Sequence, residues 1–322
     1  IVNPNPYSAS SSNTKTANAS ETVIGTTTYD LQSNASVQNR IIYHDDGTIS
    51  AAWTMSSMLD AAWADRGTGY NFFDGTNWGA IPTARLESSR GGWPSMIVMG
   101  SGKEAAITHN TDNSHVNMTH RPTTGSGAWT EQNISSYDDV TDTYRDMIWN
   151  RTAVGGADNK SLHMIAVTAS TTFGGTPLYG LDGALVYYRS QDEGVTWDTL
   201  DVQLPGLDTI TYNGTTGHSG DSYAITAKGN TIAIAYFAGF SDAILLKSTD
   251  NGDTWTKTTF SDFPVDSYIP DSGLDLDGDT YADTVYTTDG SGAILIDNND
   301  MVHITYGNMR VVDGDLTDTY TS

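Results

Sequence analysis

The eight residues Ser190-Gln-Asp192-Glu-Gly194-Val-Thr196-Trp197 return 58 positions later as Ser248-Thr-Asp250-Asn-Gly252-Asp-Thr254-Trp255. Their shared spacing, S-x-D-x-G-x-T-W, carries the chemistry of a hairpin tip. An aspartate accepts hydrogen bonds from the backbone N–H groups of the turn, a glycine supplies φ > 0, and a tryptophan starts the return strand. A strand-like run precedes each copy, at residues 184–188 and 243–246, and another follows, at 197–200 and 255–258. A chain that spells the same tip twice at this interval is built from repeated β-hairpins.

A looser repeat extends through the rest of the chain. A β-rich run, a short Asp/Asn/Gly turn and a more apolar β-run follow one another at residues 40–53, 93–107, 147–167, 222–236 and 293–306. Five such starts, each leading towards a further pair of strands, fit the four-stranded antiparallel blades of an all-β propeller. The tip is eroded in the first two units. Residues 73–78 keep the Gly75-to-Trp78 spacing with the aspartate displaced to Asp74, and residues 124–129 keep Trp129 without an aspartate. In the fifth unit residues 309–312 offer a third strand, and residues 317–322 fall short of a fourth.

The twin motif resembles the Asp box, or bacterial neuraminidase repeat, of sialidase-like β-propellers. The resemblance implies that each box joins the third and fourth strands of a blade, on the rim away from the central site. Asp192 and Asp250 are then turn residues, completed by Ser190, Gly194, Trp197, Ser248, Gly252 and Trp255. Because such propellers usually have six blades, the expectation is a polar leader over 1–38, a propeller over 39–322, and a sixth blade outside this sequence. The alternative is that residues 21–29 supply the missing outer strand and close the ring.

The chain has 34 aspartates against 5 glutamates and a formal net charge of −24. Such a field repels nucleic acid and anionic membrane surfaces and favours divalent cations. No apolar run reaches the length of a membrane span, so neither nucleic-acid binding nor membrane insertion is expected. Without cysteine there is neither a disulfide nor a thiolate metal site. Together with the box resemblance, this composition points to a secreted or cell-surface protein whose partner is an extracellular glycan or protein. Asp-Thr-aliphatic triplets at 198–200, 208–210 and 283–285 resemble the O-glycosylation acceptors of exported Bacteroidetes proteins, with Thr199, Thr209 and Thr284 as the acceptors. That resemblance implies type IX secretion and contact with secretion or surface-attachment machinery.

Residues 275–283 read Asp-Leu-Asp-Gly-Asp-Thr-Tyr-Ala-Asp. Asp275, Asp277, Asp279 and Asp283, with the Tyr281 carbonyl, are hard oxygen donors that a tight loop turns towards one point, and Ca²⁺ is the cation that suits them. The string resembles the calcium loop of FG-GAP and integrin-type repeats. It departs from calcium-loop patterns in having Thr280 where glycine is usual and Tyr286 where an EF-hand would have glutamate. A solvated acidic loop is the alternative. As a cation site it would pin the long connection between the fourth and fifth blades.

In a propeller the functional site lies at the axial mouth, in the loops that lead into each first strand and those between second and third strands. The sequence places Arg40, Arg90, Trp93, Arg145 and His218 there, with His109, Asp112 and Asp221 nearby. Arg40-Ile-Ile resembles the Arg-Ile-Pro segment of sialidases, whose arginine grips a carboxylate bidentately. The resemblance implies three such arginines, with Arg40, Arg90 and Arg145 as candidates, together with a tyrosine activated by a glutamate. No Tyr/Glu pairing stands out in this glutamate-poor chain. The first functional reading is therefore a non-catalytic binding or adhesion propeller, and the second a sialidase-like exo-glycosidase.

Overall fold

The structure is a computed structural model describing residues 21–59, 62–110, 115–134, 137–138, 143–209, 217–218, 220–266, 268–269 and 272–312. The leader before residue 21, Asp112 and residues 313–322 lie outside the described residues. Sheet I contains β1 (Ile41–Tyr43), β2 (Ile49–Met55) and β3 (Gly67–Phe73). Sheet II contains β4 (Ser95–Val98), β5 (Glu104–His109), β6 (Val116–Arg121) and β7 (Thr130–Asn133). A short ribbon, β8 (Tyr137–Asp138) and β9 (Thr143–Tyr144), precedes sheet III, which contains β10 (Met147–Gly155), β11 (Ser161–Thr168), β12 (Leu185–Ser190) and β13 (Thr199–Val202). Sheet IV contains β14 (Tyr223–Lys228), β15 (Thr231–Tyr236), β16 (Ala243–Ser248) and β17 (Thr256–Ser261), and sheet V is the pair β18 (Thr284–Ile296) and β19 (Val302–Val312).

Within each sheet, strands adjacent in sequence are adjacent in space and antiparallel, as short turns dictate. The first strands β1, β4, β10, β14 and β18 are neighbours in that order. A separate core fills each gap between successive sheets: Ala52 with Met96, Ile107 with Met164, Tyr187 with Ile234, and Phe237 with Ile304. This is the blade-on-blade packing of a β-propeller.

The period of two explains how one strand serves two cores. Along β11, Leu162, Met164 and Ala166 face sheet II, while Ile165 and Val167 face sheet IV. Every residue of β5, β11, β12 and β15 is buried because both faces meet a neighbouring sheet, whereas the outer strand β13 alternates between half-buried and exposed. Each fully buried large aliphatic or aromatic side chain contributes roughly 1.5–3 kcal/mol.

Three sequence readings change. Residues 309–312 are not a third strand of the fifth blade. They continue β19, whose ladder with β18 crosses an irregularity between Thr288 and Gly292, so an extended hairpin replaces the start of a third strand. In sheet I the fourth strand shrinks to a single bridge between Phe73 and Trp78, yet the displaced Asp74 still clamps the turn, accepting from the amides of Thr76 (2.8 Å) and Asn77 (2.7 Å). Finally, residues 21–29 form no strand and close no ring. The segment lies on sheet I, where Thr28 N donates to Ser56 O (2.9 Å) and Asn71 Nδ2 to Ile24 O (2.7 Å). It then crosses to sheet IV, where Ser36 N donates to Asp221 O (3.0 Å), and returns past sheet II, where Met96 N donates to Asn39 O (2.8 Å). Side-chain satisfaction by Thr, Ser and Asn lets a polar segment lie across the axis without a ladder.

Candidate functional site

Antiparallel order gathers the starts of first and third strands and the ends of second strands at one end of the propeller. Five aromatic residues at that end sit on left-handed backbone: Trp63 (φ 40°) between β2 and β3, Trp93 (φ 57°) before β4, Trp149 (φ 54°) in the β10 bulge, Tyr179 (φ 54°) between β11 and β12, and Phe240 (φ 58°) between β15 and β16. A bulky side chain in that region costs roughly 1–3 kcal/mol and persists only where its surroundings over-determine it. Here they do. Trp93 N donates to Thr54 Oγ1 (3.1 Å), and the Tyr29 ring meets Trp63 edge-on at 5.2 Å and Trp93 at 6.3 Å. The Trp149 carbonyl accepts from the Tyr223 hydroxyl (2.6 Å), and its ring meets Phe173 edge-on at 5.8 Å. Phe240 N donates to Thr287 Oγ1 (2.7 Å), and its ring stacks on Tyr268 at 5.2 Å. Trp93 is buried, but Phe173 and Tyr179 are more than half exposed.

Arginine concentrates at the same end, although the chain has only nine. Arg66, Arg90 and Arg151 crowd the buried His109 ring, and Arg40 lies beside Arg151. Burial first, and these cations second, push the His109 imidazolium down to about 3, so the ring is neutral at physiological pH. Arg66 Nε donates to Gly91 O (2.8 Å) and its guanidinium lies 5.2 Å from the centre of the Tyr29 ring. Arg151 pairs with Asp221 (2.7 Å), donates to the Ser36 carbonyl and covers the Tyr223 ring at 5.5 Å. Burial, and after it the neighbouring Arg151, bring Arg40 down to about 10, which leaves it a cation at neutral pH. Glu87 is a buried carboxyl here; it accepts from Thr68 N (2.7 Å) and the Thr68 hydroxyl, and burial pushes its pKa up.

The sequence candidates scatter. Arg40 joins the axial network, donating to Gln32 O (3.0 Å) and Gln38 Oε1 (3.3 Å). Arg90 holds the β2–β3 loop through the carbonyls of Trp63 (3.0 Å) and Ala62 (3.1 Å). Arg145 pairs instead with Asp201 of the outer strand β13 (2.9 Å), so Arg40, Arg90 and Arg145 do not converge on one carboxylate. His218 is buried with its ring edge-on to Tyr236 at 5.2 Å, and its Nδ1 accepts from Leu185 N (3.1 Å), a packing role between sheets III and IV. Sequence reasoning passed over Arg66 and Arg151. For Arg151 the signal was present: a lone arginine inside the otherwise uncharged inner strand Met147–Gly155.

The twin motifs lie at the opposite end, joining third to fourth strands in sheets III and IV. Asp192 accepts from the amide (2.8 Å) and hydroxyl (2.7 Å) of Thr196, and Asp250 from those of Thr254 (2.9 and 2.6 Å). Ser190 and Ser248 each donate to their aspartate and accept from Gly194 N (2.9 Å) and Gly252 N (2.8 Å). Trp197 packs on the core between sheets II and III, and Trp255 on that between III and IV.

In the loop before β18, carboxylate oxygens of Asp275, Asp277 and Asp283 lie within 4.8 Å of one another. That separation is about twice a Ca²⁺–oxygen distance, so the three fit a shared calcium ion. Asp279 is turned away and accepts from Tyr281 N (2.9 Å), and the Tyr281 side chain is exposed. Thr199 opens β13, Thr284 opens β18 and Thr209 lies in the loop after β13; all three are partly exposed. Among the described residues no helix is long and apolar enough to cross a membrane.

No family model matches the chain, and no curated protein is similar to it. Solved structures resemble it at low identity. A Dyadobacter fermentans protein of unknown function is 11% identical, with 88% of this chain and 86% of that chain covered and a TM-score of 0.45. The sialidase of Trypanosoma rangeli, in complex with the inhibitor DANA, is 16% identical over 70% of this chain and 38% of its own, with a TM-score of 0.41. An ulvan lyase from a new polysaccharide-lyase family is 14% identical over 86% and 64%, with a TM-score of 0.44. The chain thus spans well under half the length of the sialidase it matches.

Proposed function

We propose that this chain is an extracellular binding module that takes a saccharide at the axial mouth and does not hydrolyse it. The observation that carries this reading is the set of aromatic residues, Trp63, Trp93, Trp149, Tyr179 and Phe240, held on left-handed backbone at one end of the propeller. Strain of this kind collects where a fold must present particular groups, and aromatic faces beside hydrogen-bonding cations suit the apolar face and hydroxyl rim of a sugar ring. Tyr179 and the Phe173 ring that packs on Trp149, both more than half exposed, are the first contacts for such a ligand.

Titration against a panel of neutral and acidic oligosaccharides tests the reading. A ligand should bind, and Tyr179→Ala and Phe173→Ala should each weaken it about 3- to 10-fold, as loss of an aromatic contact does. Binding indifferent to both changes, or no saccharide bound at all, sinks it. Turnover of fluorogenic sialosides that is lost in Arg40→Ala would favour the glycosidase reading instead.

The same proposal covers the acidic loop and the cell biology. Asp275, Asp277 and Asp283 hold a structural Ca²⁺ that ties the connection after sheet IV to the start of β18. The protein is secreted or displayed at the cell surface, with Thr199, Thr209 and Thr284 as glycan carriers and surface-attachment machinery as a partner. Calcium should raise the melting temperature and EDTA should lower it, with both responses abolished in Asp277→Asn; a melting temperature blind to calcium and EDTA removes the ion from the proposal.

A further inference from the structure

Behind the mouth, the inner strands of the propeller line a partly open cavity of about 270 Å³. Its wall includes Gln38 from the crossing segment, Ser95 of β4, Arg151 and Thr152 of β10, Ala224 of β14 and Gly292 of β18. Four successive sheets and the N-terminal segment therefore meet around it.

Three polar atoms of this wall are left without a partner in the protein. Gln38, Arg151 and Thr152 are 4%, 3% and 4% exposed, yet Gln38 Nε2, Arg151 Nε and Thr152 Oγ1 have no hydrogen-bond partner among the described residues. The same holds for the buried Nε of Arg40, whose Nη2 donates to Gln38 Oε1. Three of these atoms are N–H donors and the fourth is a hydroxyl that can donate. Charge points the same way: two guanidinium groups lie close together and share one nearby carboxylate, Asp221, which pairs with Arg151 and attracts Arg40 without forming an ion pair with it. A buried donor without an acceptor costs about 1–3 kcal/mol and an uncompensated buried cation more. In a chain with a net charge of −24, a local excess of positive charge and of donors around one cavity is a strong departure from the average.

We infer that the axial cavity is a binding site for a small oxyanion, a carboxylate or a sulfate-like ion, held by the side chains of Gln38, Arg151 and Thr152 with Arg40 adjoining. The anion accepts from the free N–H groups and the threonine hydroxyl and neutralises the second guanidinium. Because its ligands come from the crossing segment and from β10, the bound ion ties residues 34–40 to the inner strands. Its primary consequence is stability of the axis, which makes the site separate from the saccharide reading of the mouth.

Thermal unfolding at pH 7 and fixed ionic strength tests this, with chloride replaced stepwise by acetate, glucuronate, sulfate or phosphate. The expected result is a saturable rise in melting temperature with at least one of these ions. Acetate and glucuronate against sulfate and phosphate separates a carboxylate ligand from a tetrahedral one. Removing Arg151 would also break its pair with Asp221, so the informative variants are Thr152→Val and Gln38→Met, which leave the net charge unchanged. Each should reduce the apparent affinity at least 5-fold, and the double variant should abolish saturation. A rise that is linear, equal for all ions, or unchanged in the double variant is general salt screening and overturns the proposal, as does a cavity that holds only water in a high-resolution structure grown in the best-stabilising anion. None of these outcomes depends on whether an oligosaccharide binds at the mouth.

Discussion

At the rim, Asp192 and Asp250 find their partners no more than four residues away, whereas at the axis Arg151 reaches the carbonyl of Ser36, 115 residues distant, and the carboxylate of Asp221, 70 residues distant. The rim turn is a local object that any hairpin of this sequence can close before the sheet around it exists. The axial network exists only once sheets I, II, III and IV and the crossing segment have assembled. Loss of a rim contact should therefore be absorbed by the flanking ladder, and loss of an axial contact should be felt by the whole fold. The first and largest test of that difference is Arg151→Met. It leaves Asp221 buried and without its cation, a change that typically costs ~3–5 kcal/mol. Urea denaturation should show a loss of that order, and a loss below about 1 kcal/mol would show that the axis does not hold the blades together.

The contrast also explains what could be read from the sequence. The strand alternation, the blade interval and the twin tips were legible because each is a pattern within ten or twenty residues. Asp74 illustrates how far that legibility reaches: displaced by one position, it still clamps its turn because two amides remain in range. Residues 309–312 were misread for the same reason, since local propensity shows a strand but not whether it continues the previous one. At the mouth, nothing local distinguishes Gln38 or Ser36 from an unstructured polar leader. Their burial follows from an axis that appears only in three dimensions. Arg40, Arg90 and Arg145 were candidates through the sialidase resemblance, yet Arg145 pairs with Asp201 of the outer strand β13, while the arginine that pairs with Asp221 is Arg151.

A smaller effect compares the two rim turns with each other. Gly194 and Gly252 both sit at positive φ, 80° and 88°, where alanine costs roughly 1–2 kcal/mol. The neighbours differ. A Cβ on Gly194 would lie 2.7 Å from Met118 Cε, the far end of a flexible side chain that can move aside. On Gly252 it would overlap the hydroxyl of Tyr187, which is fixed by a 2.7 Å hydrogen bond to His163 Nδ1 inside the core between sheets III and IV. Gly252→Ala should therefore destabilise more than Gly194→Ala in paired denaturation curves. Equal losses would mean that backbone strain alone sets the cost and that the rim is uncoupled from the core.

The smallest expected effect isolates the rim clamp itself. Hydrogen bonds from the hydroxyl and amide of Thr254, together with that from Ser248, hold the partly exposed Asp250 carboxylate down to about 2, below its ordinary 3.8. A carboxylate whose folded pKa is depressed adds stability that is complete above its unfolded value and disappears as pH falls through the folded one. Asp250→Asn keeps an amide oxygen for Thr254 N but loses the charge and the second acceptor oxygen. Its melting temperature should lie slightly below that of the parent at pH 6, and the two curves should converge between about pH 4 and pH 2 as the parent aspartate takes up its proton. Because the flanking ladder of β16 with β17 holds the hairpin independently, the gap at pH 6 should stay well below that of Gly252→Ala. A gap that persists unchanged to pH 2 would place the role of Asp250 in packing rather than in its charge, and the rim would then resemble the axis more than the local turn it is taken for here.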